Sequence, residues 1–435
     1  MEIGKFQREL FKRIEELIKS NFPNVVTLIR FYYLHFKYGV MKPLIRLIYS
    51  HRRKKGEHKK VLTFCLGGLG DYVLATPFYR NLKMAIHDCK IDAIVFMYIE
   101  ELLEKNFPLI DRIIPYPINA RYMGFFMAWR FFRDLYIENY DYYFCIADYS
   151  YTPKIPHNLY GAVIGYVADI PERIGIFRLR DTDLITMEKR LIEKRPLYTR
   201  YSFDKMGLHG SETHAVYQHL HLLKLIGVKS SNHDLLLYSD PISDEEINQY
   251  LEGFVGEDDL VVVLATTSAS LLKQWSFRKF AELADRLASD FGAKIVIASS
   301  SGEKVGELIK ILMNNQCLSF SGDNALSLPQ YVSLAKRSHV CIGNDSGPTH
   351  IAIAVSTPAV MLFGPSPVNF SRPLDEKRNR IIEARNFSCT TIHNSKETDQ
   401  LEASSIDLIS VNAVYEAFVS ILRQEYPQLC CNKEL

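Results

Sequence analysis

The 435-residue chain contains eight cysteines but no CxxC pair. Without such pairs the sequence lacks the usual ligand spacing of a zinc site and the usual motif of a thioredoxin-like redox site. Several of the cysteines lie inside apolar, strand-like runs, where a thiol packs as a small hydrophobic group. We therefore expect the cysteines to be reduced and the protein to be cytoplasmic.

Long uninterrupted hydrophobic runs are also missing. Residues 1–19 alternate charged and apolar side chains, which predicts no secretory signal. The most apolar stretch near the start, residues 25–49, is interrupted by Arg30, Lys37, Lys42 and Arg46. A transmembrane helix needs about 20 mostly apolar residues, and these charges break every such window.

Acidic residues are scarce at the start of the chain. Residues 1–60 hold 15 lysines and arginines against 5 glutamates, a net charge of +10, whereas the remaining residues carry −8. Basic groups beside Phe, Tyr and Leu are typical of a helix lying in the headgroup layer of an anionic membrane. The alternative is that helices of this basic extension, residues 1–58, pack on the body with their charges solvated.

From Lys60 onward, apolar strand, turn and helix alternate, which predicts parallel α/β structure. The predicted strands cover residues 61–66, 93–98, 142–148, 260–266, 294–300, 317–322, 339–345 and 358–364. They form two similar domains, residues 59–238 and 257–425, joined by a polar, acidic linker at 239–256. A cleft between the domains is the natural ligand site. We expect a final helix beginning near Ser410 to pack back across the joint, and residues 426–435 to be a frayed tail.

A glycine loop ends the first strand, where Gly67, Gly68 and Gly70 lead to Asp71. Such a loop lets a ligand approach the backbone, and Asp71 is placed either to cap the following helix or to act as a base. A nicotinamide-binding loop is the weaker alternative. The sequence GGLGD does not satisfy GxGxxG, and no acidic residue follows at the expected distance of about 20 residues.

Hydroxyl and charged groups also follow the strands of the second half. Thr266, Thr267 and Lys273 are able to hold a diphosphate, although a lone lysine is more often a solvated surface group. Glu303, which we expect to open a helix, could bind ribose hydroxyls or simply favour the positive helix end.

The stretch VCIGNDSGPTHIAIAV, residues 340–355, places a polar cluster at a strand-to-helix turn. Asp345, Ser346, Gly347 and His350 lie where free backbone N–H groups and a positive helix end suit a phosphate or a sugar hydroxyl. Taken alone, His350 is more often a buried, satisfied histidine.

Five motifs in order resemble glycosyltransferase family nine, the heptosyltransferases of lipopolysaccharide core assembly. They are GLGDYVLATP, TTSASLLKQW, SSGEK, GNDSGPTHIAIA with PAVMLFGPS, and IDLISVNAVYEA, and they span residues 60 to about 422. The resemblance implies the GT-B fold, in which two Rossmann-like domains face a cleft. It also implies an inverting, metal-independent transfer that uses no cofactor besides the nucleotide-sugar donor.

The resemblance also implies roles for single residues. Asp71 matches the general base, and Glu303 matches the acid on the nucleoside side. Positions that bind the donor match Thr266, Thr267, Lys273, Asp345, Ser346, Gly347 and His350. The basic extension and Pro348 depart from the family pattern, and these departures concern the acceptor and the donor more than the fold.

The function that we expect is transfer of a sugar, most simply heptose from ADP-heptose, to a saccharide or glycolipid. The partners would then be the nucleotide sugar, the acceptor and an anionic membrane surface, with no nucleic acid. The alternatives are a sugar-nucleotide-binding assembly protein without turnover and, more weakly, a nicotinamide-dependent oxidoreductase. A basic stretch at residues 173–200 would either meet an anionic acceptor or form a surface loop.

Overall fold

The structure is a computed structural model that describes residues 39–54, 56–116, 125–148, 158–179, 197–207, 210–211, 214–384 and 406–429. Predictions for residues 1–38 and 430–435, and for most of the basic stretch after residue 179, lie outside this part of the chain. Two parallel sheets flanked by helices make up the fold. The predicted α/β fold class with two Rossmann-like domains is confirmed.

The first sheet has the strand order β3-β2-β1-β4-β5-β6-β7, and only the short β7 is antiparallel to its neighbour. Its order changes direction between β1 and β4, which makes this the switch point where ligands bind in such sheets. The strands are β1 Lys60–Leu66, β2 Lys90–Phe96, β3 Arg112–Tyr116, β4 Tyr142–Asp148, β5 Glu172–Leu179, β6 Arg200–Gly207 and β7 Gly210–Ser211.

Helices cover both faces of the first sheet. They are α1 at residues 39–49, α2 Leu69–Leu74, α3 Thr76–Ala85, α4 Glu100–Asn106, α5 Phe125–Glu138, α6 Asn158–Val167 and α7 Ala215–Lys224. Buried side chains of α2, α3, α4 and α7 share one apolar cluster, and those of α1, α5 and α6 share the cluster on the opposite face.

The described part of the basic extension packs on the body. Met41 and Ile45 of α1 are fully buried, and Lys42 forms a 2.9 Å ion pair with Asp169. This packing is the alternative that the sequence left open for the extension. Among the described residues, no helix combines the length and apolar character needed to cross a bilayer.

The second sheet repeats the topology of the first, with the order β10-β9-β8-β11-β12-β13 and its switch point between β8 and β11. Its strands are β8 Val261–Ala265, β9 Lys294–Ala298, β10 Cys317–Phe320, β11 Val340–Asn344, β12 Ala359–Phe363 and β13 Arg380–Glu383. The remaining helices are α8 Pro241–Leu251, α9 Phe277–Phe291, α10 Val305–Leu312, α11 Leu328–Arg337, α12 Gly347–Ala354, α13 Val368–Ser371 and α14 Val411–Glu425.

Local sequence explains where these helices begin and end. In α9, Phe280, Leu283 and Leu287 recur at helical spacing and are fully buried, and Gly292 ends the helix with a positive φ of 67°. Ser410 caps α14 by accepting a hydrogen bond from the N–H of Ala413. Buried side chains of α14 belong to the apolar cluster of the second domain. That α14 packs back across the joint between the domains remains a prediction.

One strand corrects the prediction for the basic stretch. Arg173 does not lie in a surface loop but in β5, where it is buried. Its guanidinium donates hydrogen bonds to the carbonyls of Leu197 and Ile170 at 2.8 and 2.6 Å. An arginine whose donors are satisfied by backbone carbonyls is fixed in the fold, so it is not available to an acceptor.

The joint holds the two domains together over an apolar interface. Helix α2 packs against α12 and α4 against α11, and their buried side chains belong to one continuous cluster. Just before α8, the N–H of Leu237 donates to the carbonyl of Ala354, and the N–H of Tyr238 donates to the carbonyl of Asn106. The predicted linker, residues 239–256, therefore contains helix α8, and the extended segment just before it is hydrogen-bonded to both domains.

His214 provides a second connection between the domains. Its Nδ1 accepts a hydrogen bond from the N–H of Val216, so its Nε2 carries the proton and donates to the carbonyl of Arg372 at 2.7 Å. Burial is the main cause that lowers the pKa of His214 to about 4; the nearby His350 and Arg372 add to this lowering, and the hydrogen bond to the Arg372 carbonyl opposes it. The imidazole is thus neutral in the folded protein at neutral pH.

The pH dependence of stability tests this connection. Because the pKa of His214 is lower in the folded chain than the ordinary value of about 6.5, the unfolded chain binds the extra proton. The stabilisation is therefore complete above about pH 6.5 and is lost as the pH falls towards 4, by about 3 kcal/mol in total. The variant H214N keeps a capping side chain and should lose stability less steeply over this range in denaturant unfolding. Parallel pH profiles for both proteins would contradict the assignment.

Candidate functional site

The switch points of the two sheets meet at the contact between α2 and α12. A Cβ atom added to Gly347 would lie 2.5 Å from Cγ of Leu69, and one added to Gly70 would lie 3.0 Å from Cδ2 of His350. No real Cβ atom tolerates the first distance, so glycine at residue 347 permits the close approach of the domains. The predicted glycine loop and the predicted polar turn are brought together here.

Asp71 occupies the third position of α2, and its Oδ2 accepts a hydrogen bond from the N–H of Gly68 at 2.7 Å. A Cβ atom on Gly67 would lie 2.5 Å from Asp71 Cβ. Asp71 is therefore not the N-cap residue that the sequence predicts: Gly68 is the N-cap, and the Asp71 carboxylate caps its N–H from inside the first turn. The glycine is required because the aspartate side chain folds over it.

Tyr98 lies beside this loop and was not singled out by the sequence. Its hydroxyl donates to the carbonyl of Gly67 at 3.1 Å. Burial, together with the nearby Asp71 carboxylate, raises the pKa of Tyr98 to about 12. Tyr98 comes just after β2. Its position at the carboxyl end of a strand is the one feature of the sequence that could have predicted its place beside the glycine loop.

A buried carboxylate organises the other side of the contact. Asp345 is 7% exposed and directly follows β11. Its Oδ2 lies 3.0 Å from Lys273 Nζ, and its Oδ1 accepts a hydrogen bond from Ser371 Oγ at 3.0 Å and lies 3.7 Å from His350 Nε2. We call these four residues the Asp345 cluster. Ser371 belongs to α13, and nothing in the sequence near Asp345 points to it.

The Asp345 carboxylate remains charged at neutral pH. Burial by itself would raise the pKa of Asp345, but the Lys273 ammonium and then His350 outweigh burial and hold the pKa far below its ordinary value. Moving a carboxylate out of water costs desolvation free energy, and only the attraction of close, oppositely charged or hydrogen-bonding partners offsets this cost. The cluster is therefore a fixed arrangement of charge and not a set of solvated surface groups.

Asn344 connects the segments that carry the cluster. Its side-chain amide donates to the carbonyl of Thr266 at 2.9 Å, and its Oδ1 accepts from the N–H of Trp275 at 3.0 Å. Lys273 lies in the short turn Leu271–Lys273, between these two anchors. Sequence reasoning did not single out Asn344. Its place at the end of an apolar strand, next to Asp345, is the pattern that could have indicated a structural role.

The two threonines join neighbouring loops. Thr266 Oγ1 lies 2.8 Å from Ser299 Oγ, and Thr267 Oγ1 lies 2.9 Å from Ser300 Oγ. Both threonines are buried. In this structure their hydroxyls hold the loop after β8 to the loop after β9, so their described contacts are structural ones.

Glu303 lies in the turn after β9, two residues before α10 begins, and does not open that helix. Its N–H donates to the carbonyl of Ser300, and its carbonyl accepts from the N–H of Gly322. Among the described contacts, none connects its carboxylate to the Asp345 cluster.

Two buried polar atoms beside the cluster have no hydrogen-bond partner in the described part of the chain: Ser346 Oγ and His350 Nδ1. Buried polar atoms are normally satisfied, so such a group indicates a ligand or water. The N-terminus of α12 adds a positive partial charge at the same place. The arrangement suits an anion. No group of three His, Cys, Asp or Glu side chains that could hold a metal is found among the described residues.

The ion pair between Lys273 and Asp345 has a testable energetic consequence. The variant K273M leaves the Asp345 charge buried without its cation, which should lower the free energy of unfolding by about 3 kcal/mol. The double variant K273M/D345N should recover much of this loss, because no uncompensated charge remains. Denaturant unfolding of both variants and the wild type measures the effect, and wild-type stability in K273M would contradict the importance of the pair.

Comparison with known proteins finds one matching family model, similar curated proteins and solved structures with the same fold. The model of the family described as glycosyltransferase family 9 (heptosyltransferase) matches residues 208–401. Lipopolysaccharide heptosyltransferase 2 of Salmonella typhimurium is 24% identical over 380 residues, which cover 84% of this chain and 99% of that protein.

Two solved structures share the fold. The crystal structure of a family 9 glycosyltransferase from Veillonella parvula has a TM-score of 0.66 at 20% identity and covers 86% of this chain and 99% of its own. The E. coli heptosyltransferase WaaC, solved with ADP-2-deoxy-2-fluoro heptose, has a TM-score of 0.56 at 16% identity, with coverages of 83% and 98%. The family match and the curated relative show that the chain is similar to the heptosyltransferase-like glycosyltransferases of family 9, and the two solved structures show that it shares their fold.

Proposed function

We propose that this glycosyltransferase transfers a heptose from ADP-heptose to a saccharide of the lipopolysaccharide core. The observation that carries the proposal is the contact of α2 with α12, which sets the Asp71 loop of the first domain against the Asp345 cluster of the second. The name of the Salmonella relative supports the acceptor class, and the ligand of the E. coli structure supports the donor.

The donor diphosphate would lie at the N-terminus of α12. There it meets the Lys273 ammonium, the hydroxyl of Ser346 and Nδ1 of His350, whose buried atom otherwise lacks a partner. Asp345 has a different role, because a permanently charged carboxylate would repel a diphosphate. It positions Lys273 and His350 so that their other donor groups face the ligand.

Pro348 fits this arrangement. It lies in the first turn of α12, where a backbone N–H has no partner within the helix and its absence costs little. The departure from the family pattern at residue 348 therefore leaves the other N–H groups of the turn available to an anion.

The transfer step would be a direct displacement with inversion. As the acceptor oxygen forms its bond to the anomeric carbon, its proton passes to the Asp71 carboxylate and the bond to the diphosphate breaks. The electron pair of that bond leaves with the nucleoside diphosphate, whose charge Lys273 and the helix end stabilise. Because these groups supply the positive charge, we propose a transfer that needs neither metal nor cofactor.

The first domain would hold the acceptor, since it carries Asp71 and Tyr98. The phenol of Tyr98 is half exposed and lies beside the Asp71 carboxylate, so it is placed to bind a sugar hydroxyl. We further propose that the enzyme acts in the cytoplasm, in keeping with the thiols of Cys65, Cys89, Cys317 and Cys341.

Replacing the proposed base separates catalysis from folding. The variant D71N keeps an oxygen that accepts the Gly68 N–H, so thermal stability and donor binding should stay close to those of the wild type. Turnover should fall by about a hundredfold or more, because an amide cannot take the proton. Release of ADP from ADP-heptose in the presence of acceptor measures it. Wild-type turnover in D71N would remove Asp71 from the mechanism, whereas no turnover even in the wild type would favour a binding protein.

A panel of sugar nucleotides tests the donor. At about 100 times its dissociation constant, a true donor should stabilise the folded state by about 2.7 kcal/mol. We expect ADP-heptose to raise the thermal midpoint more than UDP-glucose or GDP-mannose does. A larger rise with a uridine or guanosine sugar would overturn the donor assignment while leaving the family assignment intact.

A further inference from the structure

Helix α7 carries two buried histidines that the proposed transfer step does not use. His214, the N-cap residue, is 6% exposed, and His219 is fully buried. The buried apolar side chains of α7 belong to the cluster that the two domains share. Burial of an imidazole in such surroundings costs free energy unless the ring is hydrogen-bonded, so the partners of these two rings indicate their roles.

His219 binds the helix that carries the proposed base. Its Nδ1 lies 3.1 Å from the carbonyl oxygen of Leu74 and donates to it, because a carbonyl only accepts. Leu74 is the last residue of α2, whose third residue is Asp71. The last carbonyls of a helix have no partner within it, and a helix as short as α2 is not stable by itself. His219 therefore helps to fix the position of α2, and with it that of Asp71.

His214 binds the segment that supports the Asp345 cluster. Its Nε2 donates to the carbonyl of Arg372 at 2.7 Å, and Arg372 is the residue that follows α13. The residue before it, Ser371, donates its hydroxyl to Asp345 Oδ1 at 3.0 Å. Helix α13 has only four residues and also packs against β7 of the first domain. The position of Ser371 in the second domain thus depends on contacts made by the first.

The residue type at position 214 indicates a role beyond capping. Serine, aspartate and asparagine are the preferred capping residues, but their shorter side chains end where the imidazole Nδ1 lies. Histidine caps α7 through Nδ1 and also reaches Arg372 through Nε2. One ring therefore joins the start of α7 to the end of α13, and His219 joins the same helix to the end of α2.

We propose that α7 couples the donor site to the base, and that His214 and His219 are the positioning residues that make this coupling. The inference rests on the proposed function, because it takes Asp71 as the base and the Asp345 cluster as the donor site. Through α7, the alignment of Ser371 with Asp345 is tied to the alignment of Asp71. A displacement whose base and leaving group are held by different domains requires that both be aligned together.

Asparagine and glutamine separate the roles of the two ring nitrogens. The amide of H214N keeps the cap on Val216 but is too short to reach Arg372, whereas the amide of H214Q reaches Arg372 and loses the cap. At residue 219 the order is reversed, because H219N keeps a donor at the position of Nδ1 and H219Q does not. H214N and H219Q should each lower kcat by about tenfold, with KM for ADP-heptose within about twofold of the wild type. H214Q and H219N should keep most of the activity.

The double variant H214N/H219Q distinguishes one coupled unit from two separate supports. When both bonds serve one connection, removing the second adds little, so the double variant should also lose about tenfold in kcat. Two independent effects would instead multiply to about a hundredfold and would overturn the proposal. Wild-type kcat in either single variant would overturn it as well.

The matched control is H221N on the same helix. His221 is partly buried, and no hydrogen bond among the described residues joins its side chain to α2 or α13. H221N should have the kcat of the wild type. A tenfold loss there would assign the effect to α7 in general and overturn the role of the two bonds.

Amide hydrogen exchange measures the coupling without any turnover. In the ligand-free protein, H214N should speed exchange in α2 as well as in α13, and H219Q should do the same, by at least about threefold relative to H221N. Exchange in α9 should stay unchanged, which excludes a general loss of stability. Faster exchange confined to the segment whose own bond is removed would overturn the coupling. Coupled exchange in a wild-type protein that releases no ADP from ADP-heptose would support the coupling and contradict the proposed function instead.

Discussion

The active region depends on the need to satisfy one buried negative charge. Asp345 follows a fully buried strand, and its carboxylate stays ionised only because partners come to it from three other segments. Lys273 comes from the turn after β8, Ser371 from α13 and His350 from α12. Each of these segments is irregular or short, and by itself it would have many conformations. Because all three segments bind the Asp345 carboxylate, whose burial has a large desolvation cost, they are restricted to one conformation.

This restriction reaches the first domain through α12. The same helix that carries His350 presents Gly347 to Leu69, so the position of the cluster also fixes where α2 can lie. Asp71 is held in turn by the N–H of Gly68 and by the folding of its side chain over Gly67. The proposed proton acceptor and the proposed anion site, which belong to separate domains, thereby lie close together without a shared loop. Two repeats of one topology, facing each other at their switch points, are sufficient for this geometry.

The sequence predicted the repeated elements well because they follow from periodic burial. The strands from β8 to β12 and helix α9 carry regular apolar patterns, and their predicted positions agree with the structure to within a few residues. Edge strands such as β3 and β13 are short and only partly buried, so they have no such pattern. In the candidate site, the glycine loop before Asp71 and the polar turn around Asp345 are local patterns, so the sequence was sufficient to single out these two residues. Ser371, Tyr98 and the hydrogen bond of His214 depend on contacts between distant segments, which no local pattern encodes.

The apolar cluster shared by the two domains also has a consequence for synthesis of the chain. Strands β1 to β6 are complete by residue 207, long before β8 begins at Val261. On the ribosome, the first domain therefore has all its strands while α11 and α12 do not yet exist. The sides of α2 and α4 that later meet those helices then face solvent, as apolar surface on a half-made protein. The contact that aligns the two halves of the enzyme is thus also what makes its nascent chain prone to aggregation.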